Sequence, residues 1–292
     1  MGQIAILNSA PAARLRDLIE LGKPRLSALV LFTAGTGLAA APSTPTLLNS
    51  LIFVFATGLL VVSANTMNCW IEREIDALMR RTCERPLPAG RLEPGTALIS
   101  GTILAIVSLT TLWIVTNPLT TALGATALVS YAAIYTPMKR FTPWSLVVGA
   151  IPGALPPLMG WTAATNGFGL SGIYLFGVLF FWQLPHFVAI SVYLREDFER
   201  GGLRVMSVAY SATAVRRYIF VFSVLLVAWT LAPQFFGLAG TAYTVVAAVL
   251  GVAFLALAAM GLRSKAGDVE ARRVFLASLL YLPLLIVAYL IG

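Results

Sequence analysis

The sequence predicts an all-α, polytopic membrane protein with nine transmembrane helices around a central cavity and a cytoplasmic N-terminus. Two observations predict it. All 20 Lys and Arg and all 12 Asp and Glu fall into five short clusters, at residues 14–25, 72–93, 139–140, 195–217 and 263–273. The uncharged stretches between clusters are long enough to cross a bilayer out and back, so every formal charge falls on one face. The mean hydropathy is +0.87 and only 11% of residues are charged, against about a quarter in ordinary soluble domains.

The elements follow in order. A helix needs about 20 residues to cross the hydrocarbon core, and nine candidates answer: 26–42, 48–71, 95–115, 119–137, 142–162, 168–191, 215–233, 238–262 and 274–291. The first is short and relies on Lys23 and Arg25 snorkelling to the interface. The uncharged connections, 41–50, 116–119, 163–171 and 233–241, are rich in Gly, Pro, Asn and Thr, as turns are. The charged ones lie after spans two, four, six and eight. The positive-inside rule then places the N-terminus in the cytoplasm and the C-terminus outside. Residues 1–292 read as one integral-membrane domain, with 1–22 a cytoplasmic N-terminal segment.

The first residues lack the basic start of a signal peptide and the Arg-rich pattern of a transit peptide, so the expected home is a bacterial cell inner membrane. Cys69 and Cys83 lie on the charged side and are expected to be reduced. With one histidine they make no closed zinc site. The net charge of +8 suits an anionic lipid surface or an anionic substrate; no nucleic-acid partner is expected.

The chemistry concentrates after span two. Asn68, Glu72 and Asp76 recur every four residues, a step of only about 40° around a helix, so they form one stripe. Stacked oxygen ligands suit Mg²⁺, which takes one or two carboxylates and completes its shell with substrate phosphates. Arg80, Arg81, Arg85 and Arg91 follow, and guanidinium groups fork onto phosphate oxygens. The pattern reads as metal–diphosphate binding. A solvated helix with ordinary charge pairs is the plainer explanation, but like charges at i,i+4 are unfavourable on a free surface.

Span six runs into a second candidate group: Gln183, Pro185 and His186, then Tyr193, Arg195, Asp197, Arg200 and Arg204. Tyr193 and Asp197 repeat the i,i+4 spacing, and Asp197 is a candidate metal ligand. Arg195, Arg200 and Arg204 are candidates for the diphosphate or for a carboxylate, and Lys139 and Arg140 join the same pool. His186 precedes Asp197 by 11 residues, roughly 16 Å of helix, inside the membrane, where polar groups face a cavity or a partner. It is read either as an interhelical hydrogen-bonding group or as a contact to a deep polar ligand. Span five, with Gly149, Pro152, Gly153, Pro156, Pro157 and Gly160, permits close helix packing or makes room for a flat ligand.

The Asn68–Glu72–Asp76 stripe with Arg80 and Arg85-Pro86 resembles the first acidic motif of the UbiA superfamily of intramembrane prenyltransferases. The segments Trp182–Phe187, Arg195–Phe198, Gly201-Gly202, Tyr135–Arg140 and Gly149–Trp161 resemble its protoheme IX farnesyltransferase branch, the heme O synthases. The resemblance implies farnesyl diphosphate and heme B as substrates, Mg²⁺ as cofactor and heme O and diphosphate as products. On that footing Asn68, Glu72, Asp76 and Asp197 are metal ligands. Arg80, Arg85, Lys139 and Arg140 serve the diphosphate, and Arg195, Arg204 or Lys23 the heme propionates. Gln183 faces the substrate, Tyr193 and His186 join the catalytic group, and a heme A synthase is a plausible neighbour. Two positions depart from the superfamily pattern: Glu72 where Asp is common, and Tyr193 where the second motif has Asp. A prenyltransferase acting on a quinone precursor and a secondary transporter remain alternatives. The transporter is disfavoured because no acid lies deep in any span.

The topology is testable: alkaline phosphatase fused after Gly292 should be active outside the cell, and a fluorescent protein fused there should stay dark. The reverse pair would remove one span or add one.

Overall fold

The computed structural model describes residues 11–263 and 267–292. Residues 1–10 of the expected N-terminal segment, and Lys265 of the last charge cluster, lie outside them. Among the described residues every regular element is helical. The helices are α1 (Pro11–Leu21), α2 (Pro24–Ala39), α3 (Leu47–Asp76), α4 (Pro94–Val115), α5 (Pro118–Met138), α6 (Ser145–Thr165), α7 (Leu170–Tyr193), α8 (Arg195–Arg200), α9 (Met206–Ala209), α10 (Ala212–Leu231), α11 (Thr241–Arg263) and α12 (Gly267–Ile291). Their starts follow local chemistry. Thr46, Asn117 and Ser211 each accept a backbone N–H of the first turn of α3, α5 and α10. Proline opens α2, α4 and α5, where the missing N–H has no partner to lose.

Eight of these helices, α3–α7 and α10–α12, are long and apolar enough to cross a membrane. The expected first span is α2. It has 16 residues, about 24 Å of helix, short of a core about 30 Å thick. Its beginning is set by a chain reversal at Lys23, whose φ of 50° is left-handed, followed at once by Pro24. Outward faces remain apolar and exposed, as on α4, where Ile99, Ile103, Ile106 and Trp113 recur at helical spacing.

Two apolar cores meet on α6. One packs Ala34, Leu38, Phe53, Leu60, Leu112 and Met159 between α2, α3, α4, α5 and α6. The other packs Ala150, Leu175, Trp182, Leu226, Phe254 and Leu285 between α6, α7, α10, α11 and α12. The small-residue pattern of span five is used for close approach. A Cβ on Gly37 of α2 would lie 2.9 Å from the Trp161 backbone nitrogen and closer still to the Pro157 carbonyl. A Cβ on Gly160 would lie 2.8 Å from the Leu38 backbone nitrogen and closer to the Ala34 carbonyl. Backbone meets backbone here, as small residues permit in membranes. Gly153 likewise makes room for Gln183, and Gly149 for the ring of Tyr135.

Gly37→Ala and Gly160→Ala should therefore force α2 and α6 apart, at a cost of about 1–3 kcal/mol or more. Gly35→Ala, which meets nothing within 4 Å, should be silent. Thermal unfolding in one lipid mixture checks this; equal midpoints for all three would show that the contact carries no packing energy.

Candidate active site

The five charge clusters converge at one end of the helices. Lys23 donates to Asn68 Oδ1 at 2.7 Å, and Lys139 is ion-paired with Glu72. Asp197 accepts from the backbone N–H groups of Arg80 and Arg81 at 3.1 and 3.3 Å. The Arg204 backbone N–H donates to the Lys139 carbonyl at 2.8 Å. Arg272 of the last cluster stands 6.0 Å over the ring of Tyr193. One helix supplies the centre. Asn68, Glu72 and Asp76 occupy the last two turns of α3, and all three are buried, Asp76 to 1% exposure.

The stripe is internally ordered. Asn68 Nδ2 donates to Glu72 Oε2 at 2.8 Å and to Thr136 Oγ1 at 3.1 Å. Arg85 Nη1 donates to Asp76 Oδ2 at 2.8 Å. Thr82 donates to the Asp76 carbonyl at 2.9 Å. Two buried carboxylates thus face three cations, Lys23, Lys139 and Arg85. Burial alone disfavours the charge on each cation. It leaves Lys23 below its ordinary value. For Lys139 the surrounding acidic groups, Glu72 foremost, and for Arg85 those led by Asp76, together outweigh burial and hold the groups above theirs. The excess of positive charge in a buried, water-poor site suits a polyanion. Glu72 Oε1 is buried, with the Lys139 ammonium as its partner. Together with Asp76 Oδ1 and Asn68 it is oxygen-donor chemistry that fits Mg²⁺.

Beside the stripe an open basin of about 700 Å³ is lined by Arg16, Asp17, Glu20, Arg81, Glu84, Arg85 and Arg91. Arg91 ties its walls together, with Nε on Asp17 and Nη2 on Glu20, both at 3.0 Å. Arg85 reaches from this basin to Asp76.

The remaining predicted residues divide. Asp197 is brought to the same rim, but both its oxygens lie on the Arg80–Arg81 backbone, and among the described residues no three Asp, Glu, His or Cys side chains gather as a metal site. Arg80 and Arg140 are exposed at the rim, Arg140 lying 3.5 Å from the Ile71 carbonyl. Tyr193 points outward under Arg272. Arg195 is exposed and paired with Glu199, and the Arg204 side chain is exposed. Gln183 is buried against α6, donating to the Leu179 carbonyl at 2.9 Å. His186 faces α12, with Nδ1 2.7 Å from Ser278 Oγ.

Three residues to which the sequence assigned no role belong to the site, two of them, Tyr135 and Thr136, within the Tyr135–Arg140 segment already noted. Thr136 is buried and holds Asn68, its own hydroxyl donating to the Tyr131 carbonyl at 2.8 Å. Tyr135 lies under the Lys139 ammonium at 5.0 Å, and Tyr131 is 5.6 Å from Tyr135. Tyr131, Tyr135 and Lys139 recur every four residues, the same signal that marked the acidic stripe. A π-helical turn at Ser130–Tyr135 accommodates Pro137, and such turns concentrate at functional sites.

An all-helical membrane bundle with a buried acid–base cluster at one mouth defines a class of intramembrane enzymes acting on anionic substrates. The sequence profile of the UbiA prenyltransferase family matches residues 28–280, and the chain belongs to that family. A protoheme IX farnesyltransferase of Anaeromyxobacter sp. (strain Fw109-5) is 50% identical over 95% of this chain and 93% of its own. That of Myxococcus xanthus (strain DK1622) is 45% identical over 91% and 90%. Two solved structures share the fold. One, from work on digeranylgeranylglyceryl phosphate synthase, has TM-score 0.81 at 17% identity and covers 95% of this chain and 98% of its own. The other is a UbiA homolog from Archaeoglobus fulgidus bound to GPP and Mg²⁺, with TM-score 0.64 at 15% identity, covering 94% and 99%.

Removing one partner of a buried ion pair strands the other charge. Lys139→Met should destabilise the protein by about 3 kcal/mol, and adding Glu72→Gln should recover most of the loss. Unfolding midpoints of the two variants check it; a double variant no better than Lys139→Met would mean that Glu72 is not stranded.

Proposed function

We propose that this chain transfers the farnesyl group of farnesyl diphosphate to a vinyl group of heme B. With one water the products are heme O and diphosphate. The observation that carries the reading is the buried Asn68–Glu72–Asp76 stripe faced by Lys23, Lys139 and Arg85. The relatives named above, alike over nearly their whole length, support heme as the acceptor. The chain is proposed to be one domain of the bacterial inner membrane, with nine crossings, α2 included, and its charged mouth at the cytoplasm. A heme A synthase is a natural consumer of the product.

Each residue then has a task. Glu72 and Asp76, with Asn68 oriented by Thr136, would hold Mg²⁺. That ion supplies neutralisation of phosphate oxygens while the allylic C–O bond breaks. Arg80, Arg85, Lys139 and Arg140 bring fixed positive charge to the leaving diphosphate, where charge develops. Asp197 holds the backbone of Arg80 and Arg81, and so presents the basic loop to the basin. A second cation would draw on the same Asp197 carboxylate. The apolar walls below the rim keep bulk water from the allylic cation until the vinyl group attacks it. Water then captures the resulting cation. Arg204 and Arg195 stand at the rim for the propionates, whereas Lys23 is held on Asn68.

Purified protein given farnesyl diphosphate, Mg²⁺ and heme B should yield a product with the mass of heme O, and none with 4-hydroxybenzoate as acceptor. Chelator should abolish turnover. Asp76→Ala should lower it at least 100-fold, about 3 kcal/mol of transition-state stabilisation, while the protein still inserts. Prenylated hydroxybenzoate without heme O, or full activity in Asp76→Ala, would sink the assignment.

A further inference from the structure

One polar group deep in the helices is left without a protein partner on one side. His186 lies on α7, seven residues before Tyr193 where the helix ends, about 10 Å below the charged rim. Its ring stacks on Trp182 at 4.6 Å and 24°. Phe275 of α12 lies 4.9 Å away and Phe187 5.8 Å away. Its only hydrogen-bonding neighbour among the described residues is Ser278 of α12, 2.7 Å from Nδ1.

Proton counting at Ser278 decides the tautomer. The Ser278 hydroxyl has one hydrogen, and it donates to the Phe275 carbonyl at 2.6 Å. Toward His186 the oxygen is therefore an acceptor, and Nδ1 carries the proton. Ser278 is itself fully buried and held by its neighbours, its carbonyl accepting from Trp182 Nε1 at 2.7 Å. No carboxylate touches the ring among the described residues, so nothing there pairs with an imidazolium. The neutral ring then presents a bare lone pair at Nε2. A histidine that donates one ring N–H to a fixed acceptor while the other nitrogen keeps its lone pair free is the arrangement of a metal-binding imidazole. The rings of Phe187 and Phe275, half-buried beside His186, offer apolar faces to a flat aromatic ligand.

We propose that His186 ligates the iron of the heme acceptor through Nε2, with Ser278 as the positioning residue that fixes the ring and its tautomer. The inference rests on the heme reading above and adds which side chain anchors the porphyrin, on the Nε2 side of His186, away from its contact with Ser278 of α12. Coordination would hold the porphyrin plane while a vinyl group reaches toward the allylic carbon at the rim. Iron is not consumed or oxidised in this step; it anchors.

The test uses the full chain in lipid nanodiscs with ferric heme B, without farnesyl diphosphate or Mg²⁺, read by visible absorption and electron paramagnetic resonance. The wild-type protein should give a histidine-ligated spectrum and bind ferric heme at least tenfold more tightly than metal-free protoporphyrin IX. His186→Ala should lose that spectrum and that preference while keeping its affinity for the metal-free ring, and added imidazole should restore the spectrum. Ser278→Ala should shift the resonance, and Ser278→Thr should return it, a response that packing alone does not produce. Equal affinity of the wild-type protein for the two porphyrins overturns the inference, whether or not the alanine variant folds. An unchanged spectrum in His186→Ala does so too, and leaves the heme reading intact if that variant still makes heme O. Wild-type protein that takes up neither porphyrin overturns both.

Discussion

The structure is organised by the need to bury two carboxylates. Glu72 and Asp76 stand in the last turns of a long apolar helix, withdrawn from water. A buried carboxylate is tolerable only with a cation and hydrogen bonds against it. Each demand recruits a separate stretch of chain. Glu72 takes Lys139 from the end of α5, and Asp76 takes Arg85 from the loop after α3. Asn68, between them and the membrane, takes Lys23 from the start of α2 and Thr136 from the end of α5. Asp197 then fastens the Arg80–Arg81 backbone to the α7–α8 turn. Five charge clusters that are far apart along the chain become one mouth.

That mouth is only as fixed as the helices under it. α2 and α6 meet with backbone against backbone at Gly37 and Gly160, which locks the helix that carries Lys23 beside the helix shared by both cores. α6 in turn holds α7 through Gly153 and Gln183. The prolines of α6 leave backbone carbonyls without intrahelical donors, and neighbouring helices crowd close to that backbone. Without water in the hydrocarbon layer such carbonyls need protein around them. The same feature therefore serves stability and places the rim residues.

A consequence for chemistry is that charge is pre-arranged. Three half-buried cations, Lys139 and Arg85 on fixed acids and Lys23 on Asn68, would need little reorganisation to meet a diphosphate, and in a site of low dielectric their field is strong. Tyr135 beneath Lys139, itself backed by Tyr131, contributes an electron-rich face to that ammonium.

Much of this was legible before any fold was known. Charge segregation and hydropathy determined a helical membrane protein, and a four-residue repeat of Asn68, Glu72 and Asp76 determined which turn of which helix gathers a buried polar stripe, because helical periodicity is a local property. Helix positions were legible too, α2 being as short as expected, but α3 runs on to Asp76 and α12 starts at Gly267, beyond the apolar stretches 48–71 and 274–291, because a helix can continue past the oily segment into charged residues. Pairing was not legible. Nothing in the residues says that Lys139 answers Glu72, that Thr136 steadies Asn68, that Asp197 caps a backbone of arginines, or that Tyr193 turns outward. Nor does any local pattern connect His186 with Ser278, 92 residues away. Those choices depend on which helix ends become neighbours and how each is rotated, and packing between distant segments alone sets that.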